Sequence, residues 1–202
     1  MKKVASVPYA VGEAYDFYDD RLIIDGTEIL YHEILGYGYL LTHKSTSINL
    51  IPAANSTSFN VTLVLNDGQK FKFGRHAGSV MYFKTEKQRT VDLIFSEVIK
   101  CIEVLVAPNV YEKLINYLAQ DGASIQIGKL IITKQGLTYK RNWGKKYLYP
   151  DEYYGADITQ GQVHVWGVDR RKGSKKFFSC TLSYINAPLL PYILNTLFGQ
   201  EV

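Results

Sequence analysis

A chain of 202 residues that is 47% hydrophobic and 21% charged is a folded globular protein, too apolar for disorder and long enough for one large domain or two small ones. No stretch reaches the roughly 18 apolar residues of a membrane-spanning helix, and Val91–Val106 is interrupted by Asp92, Glu97, Lys100 and Glu103. The formal net charge of +4 is unevenly divided: residues 1–122 carry 12 Lys/Arg against 14 Asp/Glu, net −2, and residues 123–202 carry 11 against 5, net +6.

Lys2 and Lys3 open the chain, but the apolar run behind them is broken by Ser6 and Pro8 and has no leader cleavage site, so a cytoplasmic protein with a loose tail over residues 1–12 is expected. The expected strands of the first half are Tyr15–Tyr18, Arg21–Ile24, Ile29–Tyr31 and Tyr37–Thr42, all rich in Tyr, Ile and Leu. Ser58–Leu65, Asn66-Asp67-Gly68 and Lys70–Phe73 read as a hairpin, because Asp-Gly tolerates the positive φ of a tight turn. Gly74–Gly78 reads as a loop.

After Thr90 the period changes from two to about 3.6. Val91, Ile94 or Phe95, Val98, Ile102 and Leu105 form one stripe, with Asp92, Ser96, Lys100 and Glu103 away from it, which predicts an amphipathic helix on a sheet. Pro108 is expected to break that helix and Asn109 to cap a second one carrying Val110, Leu114, Tyr117 and Leu118. Asp121-Gly122 marks the domain boundary, giving modules 13–122 and 123–202.

In the second half, Ile125–Thr133 and Leu137–Arg141 are expected strands joined at Gln135-Gly136. Tyr147–Thr159 is a longer extended segment in which Pro150 and Gly155 permit a bend or bulge. Val163–Val168 and Lys176–Ser183 follow as strands. Asn186 is the expected cap of a closing helix with Pro188 in its first turn and Leu190, Ile193, Leu194, Leu197 and Phe198 on one side.

Gly128–Tyr139 (GKLIITKQGLTY), Tyr149-Pro150-Asp151-Glu152, Gly161–Val168, and Ile185-Asn186-Ala187-Pro188-Leu189-Leu190 followed by Leu194 resemble bacterial-type pleckstrin-homology-like (PH-like) domains. Family members often have Trp at the position of Asp151. The resemblance covers most of residues 123–202 and is looser before them. It implies an α+β, mainly β fold: two PH-like modules, each a bent antiparallel sheet or partly open barrel with a C-terminal helix. Fold alone names no ligand. Many eukaryotic members hold inositol phosphates between basic residues of the first hairpin, but the corresponding turn here, Lys134-Gln135-Gly136, is too short for a basic pocket, so specific phosphoinositide binding is not expected.

Catalytic motifs are missing from the sequence. His32-Glu33 and His43 lack the spacing of a metal-binding His-Glu-x-x-His, Asp19-Asp20 and Asp151-Glu152 are neighbours that a strand would point to opposite faces, and Gly36-Tyr37-Gly38 lacks the rest of a phosphate loop. Cys101 and Cys180 form no metal or redox pair and are expected as reduced, buried thiols. No metal or cofactor is expected, and no motif supports enzyme activity; a small-molecule hydrolase or transferase with a non-motif site stays a further alternative, which a deep pocket with two or more convergent polar groups would favour.

What the sequence does offer is a basic end. In an up-and-down meander, alternate turns lie at the same end, so the turns at Arg141–Lys145 and Arg170–Ser174 should converge. Lys140, Arg141, Trp143, Lys145, Lys146, Arg170, Arg171, Lys172, Lys175 and Lys176 then make a positive patch with an indole at its rim and Asp169 as the nearby acid. A binding module docking a protein partner or anionic surface through this end is the leading expectation. A single-strand nucleic-acid binder stacking bases on Trp143 is the alternative, and a plain solvated face is the bland reading of the same charges.

Overall fold

A computed structural model describes residues 1–48, 51–79, 85–141, 144–169 and 173–199. The chain divides into two units, Met1–Leu35 with Tyr39–Asn109, and Gly36–Gly38 with Val110–Val202. The fold is mainly β with helices.

The first unit begins with an antiparallel meander of β1 (Lys3–Ala10), β2 (Glu13–Tyr18), β3 (Arg21–Ile24) and β4 (Thr27–Leu30), hydrogen-bonded in that order. The expected loose tail is therefore a strand. Val7 is buried and Ala5 and Tyr9 are half-buried, the period of two expected of a strand with one covered face. Pro8 is tolerated because β1 is the edge strand, where a missing N–H need cost no ladder bond. Lys3 and Ser6 also bond the Asp16 carboxylate across the pair.

A second sheet follows, β5 (Ile34–Ile48), β6 (Ile51–Leu65) and β7 (Lys70–Ser79), again in sequence order. Gly74–Gly78, expected as a loop, continues β7: Asn60 faces Gly74 and Ser56 faces Gly78. Glycine is required at the first of these. A Cβ on Gly74 would lie 2.0 Å from the Phe59 carbonyl oxygen, so the ladder closes there only without a side chain.

Helix α1 (Glu86–Cys101) packs against β1, β6 and β7. Val91, Ile94, Val98 and Ile99 are buried, and the Phe95 ring lies 5.8 Å from Tyr39 and 5.6 Å from Phe59. Its start is fixed by Thr85, whose N–H donates to Gln88 Oε1 at 2.8 Å. Pro108 does not end the helix. The chain passes through a π-helical turn, Ile102–Val106, into α2 (Ala107–Leu118), with the Ala107 N–H reaching back to the Ile102 carbonyl. A wider π turn absorbs the bond and the space that a proline denies to an α-helix. Asn109 consequently does not cap; its Nδ2 donates to the Leu105 carbonyl at 3.3 Å. The extra residue of the turn also rotates the apolar stripe, so Val106 is buried and Leu105, expected in the core, is only half-buried.

The division between units falls at Asn109/Val110, ahead of Gly122, because the body of α2 bonds within the second unit: Tyr111 shares a hydrogen bond with Thr196, and Lys134 donates to the Ala119 carbonyl. This unit carries a four-stranded meander, β8 (Ile125–Ile127), β9 (Leu130–Thr133), β10 (Gly136–Arg141) and β11 (Gly144–Leu148), then a three-stranded one, β12 (Tyr153–Thr159), β13 (Gln162–Asp169) and β14 (Gly173–Thr181), then α3 (Leu190–Phe198). Ile125–Thr133 is thus two strands, turned at Gly128 with φ 59°. A 3₁₀ turn at Pro150–Glu152 divides the long extended segment, and the register of β12 shifts between Tyr153 and Gly155, the expected bulge.

Asn186 takes a left-handed conformation, φ 65°, and its side chain makes no helix cap. Its Oδ1 instead accepts the Tyr37 N–H at 3.2 Å while its own N–H donates to the Tyr37 carbonyl at 2.7 Å. Ala187, Pro188, Leu189, Leu190, Ile193, Leu194 and Phe198 are buried behind it, with Leu197 half-buried. Both units therefore present a four-stranded meander, a three-stranded meander and a helix in the same order.

Ile102→Ala should cost about 2–5 kcal/mol in chemical denaturation, because that side chain is fully enclosed. Leu105→Ala should cost distinctly less; equal losses would put Leu105 in the core and remove the π-turn rotation.

Candidate functional site

The described part of the basic end is built by two hairpins of the second unit. Across β10 and β11, Lys140 faces Lys145, Tyr139 faces Lys146 and Arg141 faces Gly144. Across β13 and β14, Trp166 faces Lys176 and Gly167 faces Lys175. Trp143, Arg170, Arg171 and Lys172 lie outside the described residues. Lys146, Lys175 and Lys176 line one groove of about 240 Å³, together with Tyr147, Val168 and Glu152. Lys140 and Lys145 are exposed and are not part of its lining. Tyr147 and Val168 are 59% and 50% exposed, so the groove combines lysine side chains with uncovered apolar surface. Its one carboxylate is already engaged: Glu152 Oε2 accepts the Tyr149 N–H at 3.1 Å.

Trp166 is the residue that sequence reasoning passed over. Val163, Val165 and Gly167 are buried, so His164, Trp166 and Val168 occupy the other face of β13. The Lys176 ammonium stands 5.4 Å from the Trp166 ring centroid, the indole N–H donates to Asp157, and the His164 ring lies 6.1 Å away. Alternation alone could have identified that face; the Lys176 pairing depends on a register shift between Val165 and Trp166.

A second concavity, of about 450 Å³, lies in the first unit. The Tyr9 and Tyr15 rings are 4.3 Å apart, the Arg75 guanidinium sits 4.0 Å over Tyr9, and Arg75 Nη2 is 3.4 Å from Glu13. Tyr9 donates to Asp25, and Tyr15 OH donates to the Gly74 carbonyl at 3.3 Å. The Asp25 hydrogen bond pushes the Tyr9 phenol up to about 12, and burial pushes Tyr15 to about 12 against the nearby Arg75 charge. Sequence reasoning missed this site because Tyr9 fell in the expected tail and Arg75 in the expected loop.

His43 has partners that no spacing rule reveals. Its Nδ1 lies 3.1 Å from Thr57 Oγ1 on β6, and its Nε2 lies 3.7 Å from Asp92 on α1. Acid, imidazole and hydroxyl follow the order of a nucleophilic triad, but Thr57 is 2% exposed, so its hydroxyl anchors the ring and does not face a substrate. Asp20 is paired with Arg21. No group of three or more His, Cys, Asp or Glu positioned for a metal occurs among the described residues. Burial raises the Cys101 thiol and pushes Cys180 up to about 11, so both are protonated at neutral pH. No described helix is long and apolar enough to cross a membrane.

Tyr9, Tyr15 and Tyr153 are each pushed up to about 12, and burial drives Tyr31 higher still. An unfolded tyrosine ionises near pH 10, so between about 10 and 12 the folded chain binds more protons than the unfolded one. Stability should be complete below pH ~10 and fall as pH rises towards ~12. Tyrosinate absorbance and denaturation followed across this range check it, and a flat stability curve would contradict it. Comparison with protein-family models, curated proteins and solved structures finds no match for this chain.

Proposed function

We propose that the chain is a non-catalytic tandem PH-like interaction protein whose second unit docks an acidic protein surface. The observation that carries this reading is the groove where Lys146 of β11 meets Lys175 and Lys176 of β14 beside exposed Tyr147 and Val168. Cations gathered from two hairpins focus a positive potential that a lone surface lysine lacks. Aromatic and aliphatic surface between them suits a protein partner, which buries apolar area as well as neutralising charge. The shared order of meanders and helix in the two units supports the PH-like reading, as does the net +6 of residues 123–202. Single-stranded nucleic acid is the second reading, favoured by the Trp166 ring beside Lys176.

Fluorescence anisotropy with a labelled glutamate-rich peptide and a labelled thymidine oligonucleotide separates the two. The peptide should bind, and reversing Lys146, Lys175 and Lys176 to Glu should weaken it about tenfold or more. Thermal stability should stay within about 0.5 kcal/mol, since exposed charges contribute little to folding. Tighter oligonucleotide binding, falling steeply with salt, would transfer the groove to the nucleic-acid reading. Peptide binding unchanged in the triple variant would overturn the docking role.

A further inference from the structure

We infer that the first unit binds a small oxyanion of the phosphate class in a separate groove formed by β5, β6 and the first turn of α1. The groove measures about 280 Å³; β5 contributes His43, Lys44 and Ser45, β6 contributes Ser56 and Thr57, and α1 contributes Gln88. Gln88 is the informative residue. It is 1% exposed, and its Oε1 is committed to the Thr85 N–H, which fixes which end of the amide is nitrogen. The Nε2 donor is then left buried and without a partner among the described residues. A buried unpaired donor is costly, and an acceptor supplied by a ligand removes that cost.

The surroundings favour an anionic acceptor. The 16-residue α1 begins at this groove, and its first turn presents the positive end of the helix dipole. Lys44 is exposed and adds a full positive charge, and the Ser45 and Ser56 hydroxyls can donate. No carboxylate lines the groove. Asp92 lies beside His43 Nε2, and Glu86, the acid of the first helical turn, is exposed to solvent. His43 is oriented through Thr57, which leaves Gln88, Lys44 and the serines as the groups that would meet the ligand. A tetrahedral oxyanion can accept from these donors together.

The test is a titration of the full chain with inorganic phosphate, against sodium chloride of equal ionic strength, read by thermal shift and by ³¹P line broadening. The wild-type chain should show a saturable response. Gln88→Glu keeps an acceptor for the Thr85 N–H, and with it the helix start, but replaces the donor by a carboxylate; it should weaken phosphate binding about tenfold or more. Lys44→Gln, an exposed change that does not touch folding, should weaken it by a smaller factor. The variant with Lys146, Lys175 and Lys176 reversed should respond as wild type, so this site and the basic groove fail or stand separately. Retention on phosphatidic-acid vesicles that Gln88→Glu abolishes would place the phosphate on a lipid headgroup; a phosphate response without such retention assigns it to free phosphate compounds. No saturable wild-type response, or one unchanged in both Gln88→Glu and Lys44→Gln, would overturn the inference.

Discussion

The constraint from which the rest follows is that small sheets cannot bury their own apolar faces. Each unit divides its strands into a four-stranded and a three-stranded sheet, and each then supplies a helix from the chain that follows. In the first unit Val91, Ile94 and Val98 of α1 face β1, β6 and β7; in the second, Ile193, Leu194 and Phe198 of α3 cover β12 and β13. Full burial of such side chains is worth about 1.5–3 kcal/mol each, more than any hydrogen bond of the surrounding turns. The helices hold the sheets, and the placement of their ends decides what the loops and grooves can be.

Two local devices serve that packing. The π turn at Ile102–Val106 lets one continuous helical path carry a proline and still keep an enclosed stripe, shifted by the inserted residue. The Thr85–Gln88 arrangement fixes where α1 begins, and so carries a buried amide to the wall of a groove completed by β5 and β6, two strands of the sheet on which the helix packs. Packing and candidate chemistry meet in the same residue.

The charge distribution is organised along different lines. In the first unit several acids have a cation at hand: Asp16 with Lys3, Asp20 and Glu28 with Arg21, Glu13 with Arg75. Exposed pairs of this kind contribute little stability. In the second unit cations face one another instead, Lys140 against Lys145 across a hairpin, an arrangement that repels and is relieved by solvent or by an anionic partner. Of the two thiols expected in the core, Cys180 is buried and Cys101 only half-buried, and burial raises the pKa of both.

Periodicity by itself determined the α+β composition, the hairpin at Asn66–Gly68, the amphipathic stripe through Val98 and the closing helix, because alternation and the 3.6-residue period are local properties of the chain. Tertiary structure decided what depends on distant partners. Lys3–Ala10 is a strand because Glu13–Tyr18 lies beside it, Gly74–Gly78 continues a ladder because β6 is long enough to pair with it, and Leu105 leaves the core because a π turn rotates the helix. The sites follow the same rule. Tyr9 with Arg75, His43 with Asp92, and Lys146 with Lys175 are far apart in sequence, and only the folded backbone brings them together.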